Sequence, residues 1–104
     1  MDQKSLFKLK QFIRVSQEIE TALSVTTIQR QILMTLIDLC NQDNKSIPVG
    51  DLTISINGVS ERTVFRHLKT LIALGWIKLS TSQRDQRVKL LSPTPKLLRV
   101  LSRV

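Results

Sequence analysis

The sequence has 104 residues, enough for one domain with a modest core. With 41% hydrophobic residues, three glycines, three prolines and no repeat or low-complexity tract, it excludes a disordered tail. No apolar run approaches the roughly 20 residues of a membrane span. The opening MDQKSLFKLKQF has no signal-peptide pattern, so the expected location is the cytoplasm. The net charge of +8 is unevenly spread. Residues 1–60 hold six bases and six acids, whereas residues 61–104 hold ten bases against Glu61 and Asp85, an asymmetry that points to a polyanionic partner.

From Ser5 to Leu23, the residues Leu6, Leu9, Phe12, Ile13, Ile19 and Leu23 recur at helical spacing, which predicts a first amphipathic helix. Ser24 and Val25 break the register. Thr26 and Gln29 then have the spacing of a capping box, and a second helix follows through Ile28, Ile32, Leu33, Leu36, Ile37 and Leu39. The polar cluster Asn41-Gln42-Asp43-Asn44-Lys45 predicts a turn. The lone Cys40 excludes an intrachain disulfide and any cysteine-based metal cluster, and its apolar neighbours predict a buried structural thiol.

A short helix is predicted from Val49 to Ile56, ended by Asn57-Gly58. Ser60 then caps a helix over 60–74, with Val64, Leu68, Leu71 and Ile72 as its apolar stripe, Phe65 at the edge of that stripe, and Gly75 beyond its end. After Trp76 the period falls to two. Ile77 and Leu79 predict one strand, Val88 and Leu90 a second, and Thr81 to Arg87 the polar tip between them. Pro93 and Pro95 are expected to stop the second strand, before a final helical pattern of Leu97, Leu98, Val100, Leu101 and Val104. The fold class is mostly α with a small β-hairpin wing, a winged helix-turn-helix of order α-α-α-α-β-β-α. The chain divides into an N-terminal helix (1–24), a winged-helix core (26–92) and a C-terminal segment (93–104).

A short helix, a turn and a longer capped helix can offer the second helix to a DNA major groove. At about 100° per residue, Arg62, Arg66, Lys69 and Ala73 lie opposite Val64, flanked by Thr63 and Thr70. Arg62 and Arg66 can reach guanine edges, while Ser60 and Thr63 suit phosphate or base-edge contacts. On the projecting tip, Arg84 and Arg87 can enter a minor groove, with Lys89 beside them and Asp85 expected to hold Arg87. His67 has no second ligand nearby and is read as a flank residue. One histidine, no clustered carboxylates and no phosphate-binding glycine loop argue against an enzyme, a metal site or a cofactor.

Val59-Ser60-Glu61-Arg62-Thr63-Val64-Phe65-Arg66-His67-Leu68, then Leu74-Gly75-Trp76-Ile77, Asp85-Gln86-Arg87 and Leu91-Ser92 resemble the MarR family of bacterial transcription regulators over residues 6–92. The resemblance implies a sequence-specific regulator of double-stranded DNA, with helix 60–74 in the major groove and wing 80–89 in the minor groove. It makes Arg87 the minor-groove arginine and Asp85 its orienting partner. It also implies a homodimer through the terminal helices, here Leu6, Leu9, Phe12, Ile13 and Ile19 with Leu97, Leu98, Leu101 and Val104. Lys96, Arg99 and Arg103 read as supporting charge near that contact. A small-molecule effector is not expected, because the chain stops short of the long C-terminal helix of the family. The same lobe could serve a plasmid or phage replication or maintenance factor, or act as a protein-interaction module.

Overall fold

The computed structural model describes residues 2–42 and 46–103. Five helices and three short strands follow in the order α1 (Gln3–Leu23), α2 (Thr27–Gln42), β1 (Ile47–Pro48), α3 (Val49–Ser55), α4 (Glu61–Ala73), β2 (Ile77–Thr81), β3 (Lys89–Pro93) and α5 (Pro95–Leu101). The expected winged helix-turn-helix is present, with one added strand.

Local chemistry sets most of the boundaries. The Asp2 carboxylate accepts the Ser5 N–H at 2.7 Å, so α1 starts two residues before the expected Ser5. The Thr26–Gln29 capping box forms as its spacing requires: Thr26 Oγ1 accepts the Gln29 N–H at 3.2 Å, and Gln29 Oε1 accepts the Thr26 N–H at 3.0 Å. Ser60 and Thr94 cap α4 and α5 by accepting the N–H groups of Thr63 and Leu97, without the return bond of a capping box. At the end of α4, Gly75 takes φ +84°, its N–H bonds the Ile72 carbonyl, and the Trp76 N–H bonds Leu71, which completes a Schellman turn. The α1 terminus repeats this turn with Ser24 at φ 56°, where a side chain is strained.

The core lies where α2, α4 and the sheet meet. Ile32, Leu33, Leu36, Leu52, Val64 and Leu71 are fully buried in it, and Leu23 and Leu97 join from α1 and α5. Cys40, expected to be buried, is only half-buried, with its thiol toward the Leu91 carbonyl, and that burial pushes the thiol up.

Four expectations need correction. First, the sheet has three antiparallel strands in the order β1-β3-β2, with Ile47 opposite Leu91 and Leu79 also opposite Leu91. Two residues, one of them proline, are too few to show a strand period. Second, the residue of β3 that enters the core is Leu91, fully buried, and Leu90 is only half-buried on the other face. The core face therefore pairs Ile77, Leu79 and Thr81 with Pro93, Leu91 and Lys89. Third, the second strand ends at the prolines as expected, but Pro93 is itself the last residue of β3 and not the first beyond it. It lies beyond the reach of β1, where its missing N–H leaves no bond unmade. Fourth, α3 ends at Ser55 with Ile56 extended, and Gly58 (φ +77°) serves the following turn. The turn expected over Asn41 to Lys45 does not begin at Asn41, because α2 runs on through Gln42; Asp43-Asn44-Lys45 and the apolar contact expected of Val104 lie outside the described residues.

Replacing Ser24 with glycine removes the left-handed strain without touching the core. Ser24→Gly is expected to stabilise the fold by about 1 kcal/mol in chemical denaturation.

Candidate nucleic-acid interface

Helix α4 is pinned to α2, and this fixes what its outer face presents. On one flank His67 Nδ1 lies 3.2 Å from Gln29 Nε2. Because Gln29 Oε1 is already committed to the Thr26 N–H, the amide offers only its NH2 to the imidazole, so Nδ1 accepts and Nε2 carries the ring proton. Gln29, which is buried, thereby caps α2 and pins α4 with one side chain. Sequence spacing reveals the cap but not the second bond, which joins positions 38 apart.

The outer face carries the expected residues. Arg62, Arg66, Lys69 and Ala73 are all exposed. Ser60 Oγ accepts the Thr63 N–H at 3.2 Å and donates to Thr63 Oγ1 at 2.9 Å, which leaves the Thr63 hydroxyl proton free to turn outward. Glu61, Arg62, Thr63, Phe65, Arg66 and Lys69 line one open concavity on this face. Glu61 is the single acid there and sits in the first turn, where it complements the helix dipole.

The wing tip is ordered by its own side chains. Ser82 Oγ accepts the N–H groups of Arg84 and Asp85, and the Ser82 N–H reaches the Val88 carbonyl. Asp85 Oδ1 accepts the backbone N–H of Arg87 at 3.0 Å and its Nε at 3.2 Å, while Oδ2 accepts Nη2 at 3.3 Å. The expected Asp85–Arg87 pair is thus a two-pronged contact plus a backbone bond, which aims a guanidinium outward from the tip. Arg84 is exposed, and Lys89 Nζ donates to Thr81 Oγ1 across the hairpin at 3.2 Å.

Among the described residues the ion pairs are Arg14–Glu18, Arg30–Glu20 and Arg87–Asp85. Arg62, Arg66, Lys69 and Arg84 therefore have no acidic partner among those residues. Phe65, read as a core residue at the stripe edge, is instead 40% exposed between α4 and the wing. Leu79, expected to face inward with Ile77, is 48% exposed in the same place, although it lies opposite the buried Leu91. Lys96 is structural: its Nζ sits 4.5 Å above the Trp76 ring and donates to the Leu74 carbonyl at 3.2 Å.

By sequence, the chain matches no protein-family model and no curated protein. By structure it is similar to a mutant of MepR from a multidrug-resistant S. aureus clinical isolate, at 16% identity over 99% of this chain and 73% of that one, with a TM-score of 0.73. A mutant MarR from E. coli complexed with operator DNA gives 19% identity over 99% and 76% of the two chains, with a TM-score of 0.63. ZitR, a zinc-responsive MarR family member from Lactococcus lactis, gives 28% identity over 75% and 49%, with a TM-score of 0.60. Among the described residues no group of three or more His, Cys, Asp or Glu could hold a metal ion.

The Asp85–Arg87 contact holds the Asp85 carboxyl below the usual aspartate value, its main causes being the side-chain and then the backbone bond from Arg87. A carboxyl lowered on folding contributes stability that is present above its unfolded value and lost as pH falls through the folded one. An NMR titration of the Asp85 carboxyl carbon should therefore find the pair intact at pH 5, with a midpoint below that of Asp85 in Arg87→Ala. Mostly helical, with a β-hairpin that β1 extends to a three-stranded sheet, the chain has the winged-helix fold of the MarR-type regulators.

Proposed function

We propose that the chain is a MarR-type transcription regulator that binds double-stranded DNA as a homodimer, with α4 in the major groove and the wing in the minor groove. The observation that carries this reading is one continuous cationic side. Arg62, Arg66 and Lys69 on α4 have no acidic partner among the described residues, and beside them Arg87 is held outward by Asp85. The complex of an E. coli MarR mutant with operator DNA, a chain of the same fold, supports it. Arg62 and Arg66, one helical turn apart, read base edges. Ser60, Thr63, Lys69, Arg84 and Lys89 contact the backbone, and Arg87 reads the narrow groove.

The dimer half of the reading rests on α1. Ile19 and Leu23 pack into the core, and the same helix face continues outward as Leu6, Leu9, Phe12 and Ile13, all exposed. A stripe that begins in the core and runs on uncovered is suited to a second copy, and Leu98 on the neighbouring α5 extends it. Leu97, counted in this surface from sequence, is fully buried within its own chain.

Selection of sites from random duplex DNA, repeated at several salt concentrations, tests the reading. Enrichment of a two-fold-related site is the expected result, and no retained duplex at low salt would overturn it. On the selected site, Arg66→Ala should relax preference at one or two base pairs by about 1–3 kcal/mol, whereas Arg87→Ala should weaken binding to most sites. Phe12→Asp should shift the chain from dimer to monomer in sedimentation and cut affinity for the paired site far more than for a single half-site.

A further inference from the structure

The two cationic arms are separated by a cleft with an apolar floor. Val49, Phe65, Ile72 and Leu79 line it with the alkyl stems of Lys69 and Lys89, its exposed lining is wholly apolar so that both ammonium groups lie outside it, and the open hollow measures about 200 Å³. Phe65 also lines the open concavity on the outer face of α4, and a third hollow that it shares with Arg87 and Val88 of the wing. It therefore sits where helix face and wing meet. The core does not explain this exposure, since Leu68, Leu71 and Leu91 already close the interior beneath.

A protein with one element in the major groove and an adjacent element in the minor groove straddles the sugar-phosphate strand that divides the two grooves. With α4 and the wing as neighbours, that strand has to run through this cleft. Backbone DNA alternates charged phosphates with sugar rings whose faces are mostly C–H, and the cleft offers an apolar floor between two lysine stems whose charged ends lie beyond it.

We propose that the Phe65–Leu79 cleft seats one strand of duplex DNA, with a deoxyribose ring against Phe65 and Leu79 and the neighbouring phosphates paired to Lys69 and Lys89. The proposal rests on the reading of the chain as a duplex-DNA binder and adds a site to it. Lys89 is steered along the hairpin by Thr81 and Lys69 comes from the helix side, so the stems of two lysines from different elements wall the floor and their charged ends lie beyond it. The contact is indifferent to base identity. It adds affinity to every site and tells deoxyribose from ribose, whose 2′-hydroxyl would be stripped of water against an apolar surface.

The test uses the full chain and a selected duplex, read by fluorescence anisotropy over a salt series. Phe65→Ser and Leu79→Ser should each weaken binding about tenfold at unchanged salt slope, with Phe65→Leu restoring most of the loss. Lys69→Ala and Lys89→Ala should instead each lower the slope by about one phosphate. A single ribonucleotide at the groove crossing should weaken the wild type severalfold and leave Phe65→Ser unaffected. Both exposed positions tolerate serine without loss of the core, and an unchanged thermal transition verifies this. Wild-type affinity and ribonucleotide sensitivity in Phe65→Ser would overturn the cleft while leaving the DNA reading intact. A loss confined to sites with a thymine at one position would also overturn it, in favour of a base-methyl contact. Failure of the wild type to hold any duplex would remove the underlying reading and the cleft with it.

Discussion

The bond from the Trp76 indole N–H to the Leu23 carbonyl, 3.2 Å long and buried, is the contact on which the arrangement of the two arms depends. Each partner needs the other. A buried indole N–H without an acceptor and a helix-terminal carbonyl without a donor both carry a desolvation cost of about 1–3 kcal/mol. Trp76 is delivered to this spot by the Schellman turn at Gly75, so the end of α4, the start of β2 and the end of α1 share one fixed point. Thr94 closes the same knot, its hydroxyl donating to the Gly75 carbonyl at 2.7 Å while it caps α5, and Lys96 covers the indole face. The angle at which the wing leaves α4 is set here.

Much of the fold is written locally, and those parts could be read from sequence. The caps at Thr26 and Ser60, the glycine after α4 and the period change at Ile77 each involve residues within a few positions of one another. What was not legible is non-local. Strand β1 exists because Ile47 and Pro48 are carried to Leu91 and Leu90, and nothing in a dipeptide announces that. The register of β3 follows from the same pairing, which turns Leu91 inward where alternation favoured Val88 and Leu90.

The candidate site divides on the same line. The exposed arginines, the Ser60–Thr63 start and the Asp85–Arg87 pair follow from helical geometry and a three-residue turn. The Gln29–His67 bond, the exposure of Phe65 and Leu79, and the diversion of Lys96 to Trp76 depend on neighbours distant in sequence. Net charge is informative as a sum but not residue by residue. Of ten cations in the second half, Lys96 is spent on internal bonds, and Arg87 is held by an acid that orients it without hiding it.

The two-residue strand β1 has a consequence for solubility. A hairpin that keeps Leu79 and a cationic cleft open to solvent also risks recruiting strands from other molecules along its free edges. Here one outer edge is only two residues long and ends in Pro48, which has no N–H to offer, and the other carries the exposed Lys78 as the second residue of β2. Strand addition is thereby discouraged on both sides, which lets the face stay bare at less risk of seeding aggregation.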